Sequence, residues 1–229
     1  MQKVNWDTYK FHCSSLPTLM TQPREKAKKE AGELSETTKT ALREIWIEET
    51  FGRKKFDTSN KFTEKGLLCE QDSLELVTSV YKRGFLAKNK DFLVNRYVCG
   101  TPDVLKPILI DIKTSWDIWT FAKVDEKKAK SDYFWQLLGY MWLLGRKRSK
   151  LIYALVNTPE DIKEKELYNL TFKNITPEEQ IKAEANYCFD DIPCKHRVKM
   201  YNFKFEMEKI QELKRTLDAS RAYLKTIKL

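Results

Sequence analysis

The chain of 229 residues contains no stretch of about 18 consecutive apolar residues, so the sequence predicts no membrane-spanning helix. Its N-terminus lacks the order of basic, apolar and small residues that marks a secretory signal peptide. We find no internal repeat, no low-complexity segment and no interdomain linker. These absences predict one folded domain over residues 1–229, long enough to bury a sizeable core.

The cysteines are irregularly spaced. The five cysteines are an odd number without a disulfide framework, which fits a reducing cytoplasm. Cys188, Cys194 and His196 are close in sequence, but two thiols and one imidazole without paired CxxC spacing are not typical of a zinc or iron–sulfur site. We therefore interpret these three residues as structural.

Acidic residues are outnumbered by basic ones, 33 to 42, which gives a formal net charge of +9. Such an excess favours a polyanionic partner, with nucleic acid as the first candidate and an anionic membrane surface as the second. The basic residues are spread along the chain, so they support this interpretation without locating a site. The 41% of apolar and 12% of aromatic residues indicate a folded protein.

The periodicity of apolar residues predicts an α/β fold. We expect helices at about residues 36–50, 63–82, 133–144 and 205–226, and strands at 92–99, 108–113, 150–157 and 197–203. Ser35 is the expected N-cap of the first helix and Gly52 lies just past its end. Arg221 is expected on the outer face of the last helix. The expected architecture is a mixed central β-sheet flanked by helices.

Residues 100–113 (GTPDVLKPILIDIK) place charges where a core strand is expected. Strand side chains alternate between faces, so Asp111 and Lys113 point to one face and the three isoleucines at 108, 110 and 112 to the other. Burying such charges is costly unless they are paired or bind a metal. An ion pair at the sheet edge and a functional site are therefore the two alternatives for these residues.

A second unusual carboxylate lies in the helix expected after residue 62. Its apolar stripe comprises Leu67, Leu74, Val77 and Tyr81, and Glu70 falls in the same stripe. Either Glu70 reaches solvent from the edge of the stripe, or the helix delivers it to the sheet as a metal ligand.

Other polar residues also allow either a structural or a functional interpretation. The helix over residues 133–144 is apolar almost all round and hence expected to be buried, with Gln136 and Tyr140 as polar exceptions on one face. These two are either satisfied core residues or part of a site. The run Arg53-Lys54-Lys55 is either a phosphate-facing loop or a solvated one.

Taken in chain order, these unusual polar residues resemble the motifs of the PD-(D/E)XK nuclease superfamily. The matching residues are Pro102-Asp103 and Asp111-Ile112-Lys113 for the signature, Glu70 in TEKGLLCE for the first motif, and Gln136 and Tyr140 for the Gln-x-x-x-Tyr helix after the lysine strand. They are most similar to the branch that contains lambda exonuclease and the RecB-type nuclease domains. The resemblance covers residues 63–140 well and the remainder loosely.

The resemblance implies a restriction-endonuclease-like catalytic core at about residues 63–157 that hydrolyses DNA with Mg²⁺, for which Mn²⁺ can substitute. Glu70, Asp103 and Asp111 are the implied ligands, together with the backbone carbonyl of Ile112, because Mg²⁺ prefers oxygen. Lys113 would orient the attacking water or stabilise the developing charge. The implied role of Gln136 and Tyr140 is to position the DNA backbone or the lysine.

In exonucleases of this branch an N-terminal arginine and serine hold the terminal 5′-phosphate. Ser14 and Ser15 in FHCSSLPTLM are similar to that serine. The nearest basic residues in sequence are Lys10 and His12 rather than an arginine, which leaves strict end dependence open.

The function that the resemblance implies is a phage-type exonuclease acting on double-stranded DNA ends in recombination or repair, in the (host) cytoplasm. A single-strand annealing protein and further copies of the chain are the candidate protein partners. Three alternatives remain at this point: a structure-specific endonuclease of the same fold, a non-catalytic DNA-binding module, and an enzyme that acts on RNA.

Overall fold

A computed structural model describes residues 3–55, 61–81, 84–173 and 175–228, and the elements below lie in those ranges. The helices are α1 (Leu16–Leu19), α2 (Lys26–Glu30), α3 (Glu36–Phe51), α4 (Lys61–Leu68), α5 (Glu70–Val80), α6 (Ile118–Ala122), α7 (Glu126–Leu144), α8 (Glu160–Thr171), α9 (Pro177–Glu184) and α10 (Met207–Thr226). The strands are β1 (Phe11–His12), β2 (Leu93–Val94), β3 (Val98–Gly100), β4 (Leu109–Thr114), β5 (Arg148–Ala154) and β6 (Val198–Lys204). Among the described helices, none combines the length and apolarity that a bilayer crossing requires.

The mixed α/β architecture is confirmed, but the described strands form two three-stranded sheets instead of one. The first sheet has the order β1-β3-β2, with β1 parallel and β2 antiparallel to β3. The second has the order β4-β5-β6, with β4 parallel and β6 antiparallel to β5. The strand predicted at residues 92–99 is broken because Asn95 Oδ1 accepts hydrogen bonds from the backbone N–H groups of Tyr97 and Val98, at 2.8 and 2.9 Å, and so forms a turn.

The predicted ends of α3 are confirmed. The Ser35 hydroxyl accepts a hydrogen bond of 3.0 Å from the Thr38 N–H, which satisfies one of the unpaired donors of the first turn. The helix ends at Gly52, whose φ of +65° is readily available only to glycine.

The helix predicted at residues 63–82 is in fact two helices, α4 and α5, which meet at Cys69. One apolar periodicity therefore does not run through both. Leu67 was expected to point inward, but 70% of its surface is exposed, whereas Leu74, Val77 and Tyr81 of the same predicted stripe are buried. The predicted end at Lys82 lies outside the described residues.

Helix α7 begins seven residues before the predicted start, at Glu126, where the Asp125 carboxylate accepts a hydrogen bond of 2.7 Å from the Lys128 N–H. The first turns carry ion pairs between Lys130 and Glu126 and between Lys128 and Asp132 instead of an apolar stripe. Apolar periodicity therefore did not predict the first turns of α7. The preceding residues, for which no helix was predicted, contain the short helix α6.

The second sheet lies between α5 and α7. Ile110 of β4 belongs to the apolar cluster that includes Leu74 and Val77 of α5. Its neighbour Leu109 belongs to the cluster that includes Leu137 of α7. Because alternate residues of β4 face opposite helices, the side chains at 109, 111 and 113 lie on the α7 side.

Arg221 does not lie on the outer face of α10, as predicted, because only 6% of its surface is exposed. Its guanidinium donates hydrogen bonds to the backbone carbonyls of Tyr9, at 3.0 and 2.7 Å, and of Arg96, at 2.7 Å. It also lies over the Tyr97 ring, 4.6 Å from the centroid. These partners compensate for the burial of the charge.

We predict that Gly139→Ala destabilises the protein by about 1–3 kcal/mol, because overpacking a filled core displaces its neighbours. A Cβ at Gly139 would lie 2.7 Å from Leu16 Cδ1 and 2.9 Å from Cys13 Sγ, and both of these residues are fully buried. Urea unfolding measures the change. The matched control is Gly66→Ala, whose Cβ would meet no atom within 4 Å. An equal loss in both variants would contradict the prediction.

Candidate active site

The centre of the site is the charged pair on β4. Asp111 is 3% exposed at its side chain, and the Lys113 ammonium lies 2.8 Å from its Oδ2. The other oxygen, Oδ1, accepts a hydrogen bond of 3.1 Å from the buried Gln136 amide. Within the described residues, no donor points at Asp111 Oδ2 with hydrogen-bond geometry, although the ammonium is close. A buried carboxylate oxygen thus keeps a lone pair free for another ligand.

Asp103 is brought to this pair by a fold-back of the chain in front of β4. Val104 and Ile110 form an antiparallel bridge, with backbone hydrogen bonds of 3.1 and 2.9 Å. This bridge places Asp103 beside Ile112, whose N–H donates a hydrogen bond of 2.7 Å to Asp103 Oδ2. Burial and the Asp111 carboxylate raise the pKa of Asp103 to about 7, against the opposing effects of the Ile112 N–H and Lys113.

Glu70 is the first residue of α5 and faces a cleft rather than the core. Its side chain is 44% exposed and forms an ion pair with Lys88. The cleft has a volume of about 440 Å³, and Glu70, Lys88, Asp103 and Lys113 all line it. The break between α4 and α5 therefore places the carboxylate at the cleft instead of in an apolar stripe.

The ammonium of Lys113 remains charged. Burial lowers the pKa of Lys113, but the Asp111 carboxylate, with smaller contributions from Tyr133 and Asp103, more than offsets this effect, and the net shift is upward. The site therefore places one cation beside a buried carboxylate, Asp111, and a half-buried one, Asp103.

Tyr140 lies behind the cleft, one turn after Gln136 on α7. Burial, followed by the charge of Asp111, raises the pKa of the Tyr140 phenol, so the phenol stays neutral. The Tyr140 ring packs so closely on β3 that a Cβ at Gly100 would lie only 2.9 Å from Tyr140 Cε1.

Ser14 and Ser15 lie in a second groove of about 830 Å³, which they share with Arg53, Lys54 and Lys55. Lys54 is paired with Glu48 and Lys55 with Glu44, at 3.4 and 2.6 Å. His12, the basic residue nearest to them in sequence, is exposed and its ring lies against Phe92, with the centroids 6.0 Å apart. The arginine near these serines comes from a distant part of the chain.

The predicted carboxylates do not form one compact cluster. Over the described part of the chain, no three His, Cys, Asp or Glu side chains are grouped so as to hold a metal ion. Asp103 and Asp111 do approach each other, and one buried oxygen of Asp111 lacks a directed donor. Two carboxylates with a free lone pair fit a hard cation such as Mg²⁺, which takes oxygen ligands and keeps several waters.

No protein-family model and no curated protein sequence matches the chain. Solved structures do match it. A phage-related exonuclease from Haemophilus somnus 129PT is 28% identical with a TM-score of 0.76, and the match covers 95% of this chain and 94% of that one. The alkaline exonuclease LHK-Exo from Laribacter hongkongensis is 14% identical with a TM-score of 0.62, over 96% of this chain and 91% of that one. Its complex with dAMP matches at 15% identity and a TM-score of 0.58, over 94% and 88%.

The protein has an exonuclease-like fold. The likeness extends over nearly the whole chain. The fold is therefore not restricted to the motif region at residues 63–140.

Within this exonuclease-like fold, the sequence-predicted residues lie in two places. The cleft and its floor contain Glu70, Asp103, Asp111, Ile112 and Lys113, with Gln136 and Tyr140 behind them. The second groove contains Ser14 and Ser15. Lys88 and Tyr133 are among the cleft-lining residues that sequence reasoning missed. The only sequence signal for Tyr133 is its position three residues before Gln136, on the same helix face.

The metal-free protein is expected to lose the stabilising contribution of Asp103 as the pH rises from about 4 through about 7. The pKa of Asp103 in the fold, about 7, exceeds that of an unfolded aspartate, about 3.9, so the folded chain binds the extra proton between these values. Urea unfolding in EDTA at several pH values measures this dependence. Asp103→Asn should make the free energy of unfolding less dependent on pH in this range. An equal pH dependence in the variant and the wild type would contradict the raised pKa of Asp103.

Proposed function

We propose that the protein is a metal-dependent DNA exonuclease, a hydrolase that cuts phosphodiester bonds at the ends of double-stranded DNA. The observation that carries the proposal is the pair of the half-buried Asp103 and the buried Asp111 beside the Lys113 ammonium at a cleft floor. The shared fold with a phage-related exonuclease, at 28% identity over almost the whole chain, supports it. The formal net charge of +9 fits a polyanionic substrate.

Asp103 and Asp111 are the residues that would hold the metal, with the backbone carbonyl of Ile112 as a further oxygen ligand. Mg²⁺ is the proposed ion, and Mn²⁺ has similar ligand preferences. Burial and the Asp111 carboxylate raise the pKa of Asp103, and a cation here would relieve the repulsion between the two carboxylates. Glu70 could join it after its ion pair with Lys88 opens, or through a water. When bound, the ion supplies Lewis-acid chemistry that neutralises charge and activates water.

The surrounding side chains have separate proposed roles. Lys113 carries a positive charge into the cleft, where it orients the attacking water or stabilises charge that develops on the phosphate. Gln136 fixes the orientation of Asp111 through its amide hydrogen bond. Tyr140 is buried behind both, so its proposed role is to position this floor rather than to react.

The second groove supports an end-dependent enzyme over an endonuclease. Hydroxyl groups of Ser14 and Ser15 and the exposed guanidinium of Arg53 share it. Hydroxyls and a guanidinium are suited to a terminal phosphate, which arginine binds with paired hydrogen bonds. The turn at Cys13–Ser15 packs against Gly139 of α7, the helix that also carries Gln136. The proposed end-binding groove and the cleft are thus connected through one rigid helix.

A binding-only module is the less favoured alternative. Two carboxylates at a cleft floor repel DNA phosphates unless a cation lies between them, so a protein that only binds DNA gains nothing from them. The fold itself is shared with named exonucleases.

The similarity to a phage-related exonuclease also supports a role in phage-type recombination or repair, within a (host) cytoplasm. In such a role the enzyme would leave a single strand, and a single-strand annealing protein is the proposed partner for it. Assembly with further copies of the chain would favour repeated cutting at one end.

With Mg²⁺, end-labelled linear duplex is expected to release nucleotides, whereas closed circular DNA stays intact and EDTA abolishes release. Lys113→Ala is expected to lower the rate by about 100-fold or more, because the cation acts at the developing charge. Gel analysis of the products and their time course measures both effects. The matched control is Lys29→Ala, which removes an exposed lysine of α2.

Three results would redirect the proposal. Cleavage of the circle would favour the endonuclease, and preferential digestion of a matched RNA duplex would favour an RNA-acting enzyme. Bound but uncut DNA would favour the binding module.

Arg53→Ala is expected to reduce the preference for 5′-phosphorylated over 5′-hydroxyl duplex ends by about 10-fold, since a hydrogen bond between charged groups contributes about 1.5–3 kcal/mol. Competition between the two labelled duplexes gives the ratio. Arg24→Ala, which removes an exposed arginine that lines neither the cleft nor the second groove, is the control. An unchanged ratio in Arg53→Ala would exclude this groove as the phosphate site.

A further inference from the structure

Helix α7 delivers two side chains to the two charged residues of β4. Gln136 donates a hydrogen bond to Asp111, at 3.1 Å. One turn earlier on the same helix face, the Tyr133 ring lies against Lys113, with the ammonium 4.9 Å from the ring centroid. Tyr133 and Gln136 are three residues apart on the helix, and Lys113 and Asp111 are two residues apart on the strand. With these spacings, each of the two helix side chains meets one of the two strand side chains. Asp111 and Lys113 therefore each have their own partner on α7.

The Tyr133 ring is held in place by other aromatic side chains. Its centroid lies 6.1 Å from that of Tyr153, with an interplanar angle of 76°. Tyr153 is the register partner of Lys113 on β5, so it lies beside the lysine in the sheet. Tyr153 in turn meets Tyr201 edge-on, at 6.2 Å, and the Tyr201 hydroxyl donates to the Val124 carbonyl. The row of rings Tyr133, Tyr153 and Tyr201 therefore fixes the orientation of the Tyr133 ring face that Lys113 contacts.

Lys113 needs a partner other than Asp111. Its flexible four-carbon stem allows many positions, and the ion pair at 2.8 Å draws the ammonium towards the floor. A metal at Asp111 would compete with Lys113 for the same carboxylate, so the ion pair weakens in the metal-loaded protein. An aromatic face attracts an ammonium without offering a metal ligand, so its contact remains.

We propose that Tyr133 is a positioning residue whose ring face holds the Lys113 ammonium in the cleft. The proposal rests on the proposed function for its catalytic consequence, whereas the contact itself belongs to the metal-free protein. The ring, not the hydroxyl, carries this role. Tyr133→Phe therefore conserves the contact between the ring and the ammonium, and Tyr133→Leu removes it.

The contact is tested by NMR of the protein in EDTA. The ε-methylene signals of Lys113, assigned by their absence in Lys113→Arg, are expected to show an upfield ring-current shift in wild type and in Tyr133→Phe. The shift should disappear in Tyr133→Leu. Phe134→Leu removes the neighbouring ring on α7 and should leave the shift in place. An unchanged Lys113 signal in a folded Tyr133→Leu variant would overturn the proposal.

Kinetics with Mg²⁺ and linear duplex test the consequence. The kcat of Tyr133→Leu is expected to fall about 3- to 30-fold, the range of a cation–π contact, with an unchanged KM for DNA. Tyr133→Phe and Phe134→Leu should stay within about 2-fold of wild type. A loss in Tyr133→Phe equal to that in Tyr133→Leu, or a raised KM at constant kcat, would overturn the positioning role. Wild-type protein that cuts no DNA would refute the proposed function alone, because the NMR result stands independently.

Discussion

The repulsion between a buried carboxylate and a half-buried one beside it is the constraint on which the site depends. Asp111 is buried on β4, and the bridge between Val104 and Ile110 brings Asp103 beside it. Lys113 is the one cation of the described residues that lies within ion-pair distance of Asp111. Burial and the remaining repulsion from Asp111 together raise the pKa of Asp103. A core would not adopt this arrangement for stability, and such perturbed groups concentrate at functional sites.

The surrounding elements hold the pair in place without neutralising it. The Ile112 N–H and the Gln136 amide each donate to one carboxylate, which fixes both in orientation. Helix α5 presents Glu70 across the cleft, where Lys88 holds it. On the far side of α7, Gly139 allows the turn that carries Ser14 and Ser15 to pack closely. The floor and the second groove therefore both depend on α7, and their relative geometry is set by the packing of this helix.

Local patterns in the sequence predicted the parts of the site that depend on local geometry. Strand alternation placed Asp111 and Lys113 on one face, and helix spacing placed Gln136 and Tyr140 together. The break at Cys69 was not predictable, because Leu67 and Leu74 have compatible spacing and only packing shows that two helices are present. Arg53 reaches the groove of Ser14 through the tertiary fold, for which neighbouring residues give no signal. Arg221 was misassigned because its burial depends on backbone acceptors from distant segments.

The most direct test of the account is the anomalous difference density of a crystal soaked in Mn²⁺. The account predicts one strong peak within coordination distance of the Asp103 and Asp111 carboxylates, about 2.0–2.3 Å from their oxygens, and loss of that peak in Asp111→Asn. The Lys113 ammonium should remain in contact with the Tyr133 ring in the same crystal. A soaked crystal without a peak at these carboxylates, or with a peak only elsewhere on the protein, would contradict the metal-dependent site.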